Sequence, residues 1–164
     1  CPDKLRRPTF RELYDRPKLL INRLGFLKVH LDMDTHFLHS DSMFSAVLWK
    51  DLKGVNNKSI SSSIKKFCKH TRTEMEALSS EVDLLYLLGV LNSSMAGKLL
   101  ADQRGGDYHI YPEHIRNFPI PIATSKQQEE IAQLVRIIME KIHGGQDCET
   151  EQQKVNQIVS TLYI

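Results

Sequence analysis

Residues 108–122 read YHIYPEHIRNFPIPI, from Tyr108 to Ile122, and run almost at once into Ser125-Lys126-Gln127-Gln128-Glu129; the reading of this junction decides how the chain is organised. Prolines at 119 and 121 fix φ and remove two backbone donors. That excludes a central strand and predicts a short, rigid, extended connector. Ser125 with Gln128 three residues on is a capping-box signature, so the connector is expected to feed a helix and set its direction.

Downstream, Ile131, Leu134, Val135, Ile138 and Ile142 recur at helical spacing up to Gly144-Gly145. A second helix after the acidic stretch Asp147 to Glu151 carries Val155, Ile158, Val159 and Leu162. Two amphipathic helices joined by Gly-Gly predict an antiparallel hairpin over 123–164, whose apolar stripe must pack on this domain, an upstream domain or a second subunit. Upstream, Ser80 as N-cap with Asp83, followed by Leu84, Leu88, Leu91, Met95 and Leu99, predicts one long helix stopped at Gly105-Gly106.

The first fifty residues read as β-rich. Lys18 to Leu24 is a short apolar run ended by Gly25, and Met43 to Trp49 is apolar on both faces, with Trp49 assigned to the core. Lys28 to His36 alternates, placing Val29, Leu31 and Met33 inward and Lys28, His30, Asp32 and Asp34 toward water. Gly54 to Thr73 lacks strong periodicity and reads as a loop or a loosely anchored helix with Ile60, Ile64 and Phe67 on one face. The fold class is therefore α+β: a β-rich layer packed by a long helix over 1–122, then the helical hairpin.

Apolar and charged fractions of 41% and 26% are those of a soluble globular chain. No run approaches the roughly 18 apolar residues a membrane helix needs, and no secretory signal opens the sequence, so a cytoplasmic setting without a membrane partner is expected. Cys1, Cys68 and Cys148 are too scattered for a disulfide framework or zinc site. The opening Cys-Pro-Asp-Lys carries no cap or strand signal and reads as an excerpt from a longer polypeptide.

Net charge is only +2, but it is unevenly spread. Asp3 to Arg23 holds seven bases (Lys4, Arg6, Arg7, Arg11, Arg16, Lys18, Arg23) against Asp3, Glu12 and Asp15. Leu52 to Thr73 holds six (Lys53, Lys58, Lys65, Lys66, Lys69, Arg72) and no acid, whereas the tail from Lys126 has six acids to four bases. A positive first half is what a phosphate-facing surface requires.

Five segments in order, RPKLLINRLG (Arg16 to Gly25), DLLYLLGVLNSSMAGKLL (Asp83 to Leu100), GDYHIYPEHIRNFPIPI (Gly106 to Ile122), QQEEIAQLV (Gln127 to Val135) and VNQIVSTLY (Val155 to Tyr163), resemble the TaqI-like C-terminal specificity domain. That module ends type II restriction-modification enzymes, where it is fused to a DNA methyltransferase. Leu91-Asn92-Ser93 before a proline connector and a glutamine-led helix is also similar to type I specificity subunits. The resemblance implies a target-recognition module for double-stranded DNA. Adenine-N6 methyl transfer from S-adenosylmethionine, and any cleavage, would then lie in an upstream domain or partner subunit, on which the hairpin docks or through which it dimerises. The chain itself carries no N-P-P-[YF] motif and no glycine fingerprint, so no cofactor is expected in it.

Lys58, Lys65, Lys66, Lys69 and Arg72 are the candidate DNA-binding residues, because mobile cations in an acid-free stretch can neutralise phosphates. Asn56, Asn57, Ser61, Ser62, Ser63 and His70 among them are types able to contact base edges or phosphates. Three other constellations have simpler readings. His30, Asp32, Asp34 and His36, with His39, could ligate a metal, yet any half-wet strand alternates this way. Asp41, Asp51 and Lys53 could serve a Mg²⁺-dependent nuclease, although such residues are ordinary at turns. Arg104 to Asp107 could cradle a phosphate but reads first as a helix stop, while Tyr108 and Tyr111 could stack on a base but as aromatics beside apolar strands are assigned to the core. The rivals to DNA recognition are thus a small nuclease and a purely structural assembly module.

Overall fold

The apolar run beginning at Lys18 becomes the middle strand of a small sheet. The computed structural model describes residues 11–35, 37, 39, 42–66 and 69–163. Strands β1 (Lys18–Asn22), β2 (Val29–Asp32) and β3 (Met43–Ala46) form an antiparallel sheet in the order β2-β1-β3, with Ile21 opposite Val29 on one side and Phe44 on the other. The architecture is mixed α+β, but with 56% helix against 10% strand the β-rich half shrinks to this one sheet. β3 stops at Ala46, and Trp49 opens a 3-10 segment (Trp49–Leu52) in which it is half-buried while Leu52 enters the interior.

Leu19, Ile21 and Val29 face the main core. The opposite face holds Lys18 directly across from Asp32, and the two form an ion pair that is almost wholly buried. The alternation puts Asp32 in water; instead the backbone of Tyr14 and of Phe37 reaches this face. Lys18 Nζ donates to the Tyr14 carbonyl at 2.9 Å, and Phe37 N–H donates to Asp32 at 3.1 Å. Charges buried there persist only because each has its partner. Met33, expected inward, lies past the end of β2 and is exposed.

Among the described residues seven helices follow: α1 (Lys58–Lys66), α2 (Arg72–Ser80), α3 (Leu84–Leu91), α4 (Ser94–Arg104), α5 (Pro112–Arg116), α6 (Ser125–His143) and α7 (Glu149–Leu162). The single long helix expected from Ser80 is two helices, α3 and α4. Ser80 ends α2 and Asp83 caps α3, its carboxylate accepting from the N–H groups of Leu85 and Tyr86. At Asn92-Ser93 the chain bends by 63°, and the Ser93 hydroxyl caps α4 by accepting from Ala96 N–H. Asn92 pairs with the edge strand at this break: its amide accepts from Val29 N–H at 3.0 Å and donates to Val29 C=O at 2.8 Å. The kink thus completes hydrogen bonds the sheet edge would leave open. Gly105, at φ +57°, stops α4 where a stop was expected.

The proline stretch is not extended throughout, since Pro112 starts the short α5, proline being favourable at a first helical position. From Asn117 the chain is free of regular structure and hangs on two tyrosines. Tyr86 of α3 donates to the Pro121 carbonyl at 2.7 Å, and Tyr163, beyond α7, donates to the Pro119 carbonyl at 2.8 Å. The α6 cap falls one residue earlier than expected, on Thr124 with Gln127. Gln128 is freed to turn inward, where it accepts from Asp83 N–H and donates to the carbonyls of Glu81 and Ala123.

α6 and α7 form an antiparallel pair, with Lys141 bridging to Glu151 across the turn at 2.7 Å. The stripe's partner is this domain: Ile131, Val135 and Ile138 join Leu88, Val90, Leu91 and the sheet in one core. Gly89 is the contact point, since a Cβ there would stand 2.6 Å from Ile131 Cγ2 and 3.0 Å from Val135 Cγ2. No single described helix is long and apolar enough to cross a membrane.

Candidate nucleic-acid interface

α1 grows from the acid-free stretch. Asn57 accepts from Ile60 N–H at 2.9 Å at its start, and buried Ile60 anchors it, leaving Lys58, Lys65 and Lys66 exposed. Lys58, Ser61, Ser62 and Lys65 recur at helical spacing and line a shallow polar groove with Asn56 and Asn57. Lys69 and His70 are exposed beyond it, and Ser63 is half-buried. Phe67 and Cys68 lie outside the described residues.

Arg72 differs from the four lysines. Its Nε donates to Glu76 at 2.7 Å, and its terminal nitrogens donate to the carbonyls of Val55 and Leu52, both at 2.8 Å, and to Asn56 Oδ1 at 2.9 Å. This fork ties the loop that launches α1 to the first turn of α2. Its part is to hold the basic surface in place, and the exposed lysines are the cations available to a phosphate.

Tyr108 and Tyr111, assigned to the core from the sequence, face outward, 66% and 43% exposed. With His109 and His114 they form a row of rings: Tyr108 is edge-on to His109 at 6.5 Å, His109 is stacked on Tyr111 at 6.0 Å, and Tyr111 is edge-on to His114 at 5.5 Å. Local polar contacts set the row, because Asp107 accepts from His109 N–H at 2.8 Å and His114 Nδ1 from Tyr111 N–H at 3.2 Å. Lys66 of α1 comes close enough to Glu113 of α5 for its charge to act on that carboxyl. Glu113 of α5 has its carboxyl held below the ordinary range by its own backbone N–H, then by Arg116 and by the charge of Lys66. The sequence did carry a signal for outward-facing rings: tyrosines alternate there with histidines and charges, a polar context a core segment lacks.

The remaining constellations do not assemble as sites. His30 points to solvent while Asp32 is buried against Lys18, and His39 Nε2 pairs with Ser45 Oγ at 2.5 Å. His36 lies outside the described residues. Among those described, no group of three His, Cys, Asp or Glu is placed to hold a metal. Asp51 and Lys53 sit at the 3-10 segment after β3, and Asp41, the other half of the nuclease arrangement, falls outside the described residues, as do Lys4, Arg6 and Arg7 of the basic N-terminal stretch. Arg104 turns inward, donating to the Gly25 carbonyl at 2.7 Å.

The fold and this surface define a small α+β domain with a basic, ring-bearing face. Comparison with models of known protein families, with curated proteins and with solved structures finds no match in any of the three.

Proposed function

We propose that the chain is the sequence-specific DNA recognition module of a restriction-modification system, positioning a separate adenine-N6 methyltransferase, with or without an endonuclease, on its target. The observation that carries this reading is the solvent-facing set Lys58, Lys65, Lys66 and Lys69, with no acid between Leu52 and Thr73, to which the exposed Tyr108 and Tyr111 add aromatic surface. Lysines neutralise phosphates and release counterions, while asparagine and serine hydrogen-bond to base edges. The ordered resemblance over five segments supports the same class. In this reading the described residues bind and orient. On this reading the methyl donor belongs to the separate catalytic domain.

Docking of that domain is assigned to the cleft of about 570 Å³ between the sheet and α6, lined by Leu31, Met33, Leu48, Leu84 and Met139, with Arg136 and Glu140 at hand. The hairpin's main stripe is already used inside the molecule, so on this reading the docking contact uses this outer flank.

The test is selection. Duplexes with a randomised central segment, enriched over several rounds on the immobilised chain, should converge on a defined sequence. Persistent binding without convergence would reduce the module to a nonspecific phosphate binder and overturn the recognition reading.

A further inference from the structure

Phe26 is the most exposed aromatic side chain among the described residues, at 86%, and the turn that carries it is one of the most tightly tied in the molecule. Asn22 holds the β1–β2 turn from within: its Nδ2 donates to the carbonyls of Leu24 and Phe26, and its Oδ1 accepts from Lys28 N–H at 2.7 Å. Gly25 takes φ +77°, a conformation in which a side chain would be strained, and its N–H donates to the Tyr108 carbonyl at 3.0 Å. Arg104 grips the Gly25 carbonyl from α4, and Leu24 pairs with His109 in an isolated bridge. Leu27 packs against the core, so its neighbour Phe26 is driven outward. The hydroxyl end of Tyr108 lies over the adjacent residue Gly25; Leu24, 50% exposed, shares the turn, and Lys28 and His30 follow Phe26 on the solvent side.

A lone exposed phenylalanine on a loose loop needs no explanation. Here many hydrogen bonds position a bare ring that stabilises nothing inside the fold. We infer that Phe26 is an aromatic wedge that stacks against, or inserts between, DNA bases, with Tyr108 as the adjoining platform; this deepens the recognition reading above and rests on it. Apolar wedges act by unstacking a base step, which requires a rigid mount and nearby cations to hold the strand. The turn supplies the mount, while the exposed Lys28, two residues on, supplies a cation. Nearby acids are locally engaged: Asp107 is held by His109, and Glu113 bridges to Arg116 at 2.8 Å.

The experiment uses the 164-residue chain and the duplex enriched from the randomised pool, with 2-aminopurine substituted at each position in turn. Wild type should raise the fluorescence at one step. F26A should abolish that rise and weaken binding about tenfold or more, from the roughly 1–3 kcal/mol a base–aromatic contact contributes, whereas F26W should retain both. Phe26 is exposed, so F26A should keep its unfolding midpoint. Unchanged affinity and fluorescence in F26A, with K65E/K66E binding lost, would overturn the wedge and leave the recognition reading standing. An intact DNA signal with loss of self-association or of binding to the catalytic domain would reassign the turn to a protein contact, also overturning it. Failure to enrich any duplex overturns both readings.

Discussion

Tyr86 shows how much one side chain can carry. Its ring is buried in the core, its hydroxyl holds the Pro121 carbonyl, and burial, then the nearby Tyr163, pushes its pKa up to about 12. In the unfolded chain a tyrosine titrates near 10, so the folded state holds this proton more tightly. The resulting stability is fully present below about pH 10 and is lost as pH rises toward about 12. Y86F should cost about 1 kcal/mol at neutral pH through the lost hydrogen bond, yet lose less stability than wild type between pH 10 and 12. Urea midpoints across that range decide it; parallel profiles would contradict the assignment. Tyr163, also raised by burial, leaves a residual slope. At this scale the sequence was least legible. Arg72 and the four lysines look alike in an acid-free stretch, and only the approach of Leu52, Val55 and Glu76 separates an internal fork from exposed cations. Asp32 was misplaced for a related reason: alternation gives the face of a strand but not what covers that face.

At the scale of elements, the contact between α3 and α6 organises the domain, and it turns on Gly89. Because Ile131 and Val135 already occupy the space of a Cβ, G89A must push the helices apart. Overpacking of this kind typically costs about 1–3 kcal/mol. The urea midpoint should fall accordingly although alanine is the better helix former. A stabilised G89A would refute the close approach. The hairpin was largely legible, because Gly144-Gly145 and two apolar stripes mark it and the cap was displaced by only one residue. The break at Asn92-Ser93 was not, since Leu91 and Met95 remain in phase across it and periodicity alone reads through a bend. What decides the break is the pairing of Asn92 with the edge of β2, a contact between residues far apart in sequence.

For the whole molecule, one apolar core spans sheet, α3, α4 and hairpin, while α1 lies outside it with the lysines, and the segment leading into α5 and the β1–β2 turn carry exposed rings. Charge asymmetry was legible from composition along the chain, whereas the approach of Lys66 to Glu113 needed the fold, as these lie more than forty residues apart. On the proposed function, the lysines of α1 bind DNA through its phosphates. The direct measurement is the affinity for a duplex as a function of salt, for wild type and for K65E/K66E. Each lysine on a phosphate contributes about one to the slope of log affinity against log salt. Wild type should show steep salt dependence, with the double variant weakened across the range and its slope reduced by about two. Equal affinities and equal slopes for the two proteins would contradict it.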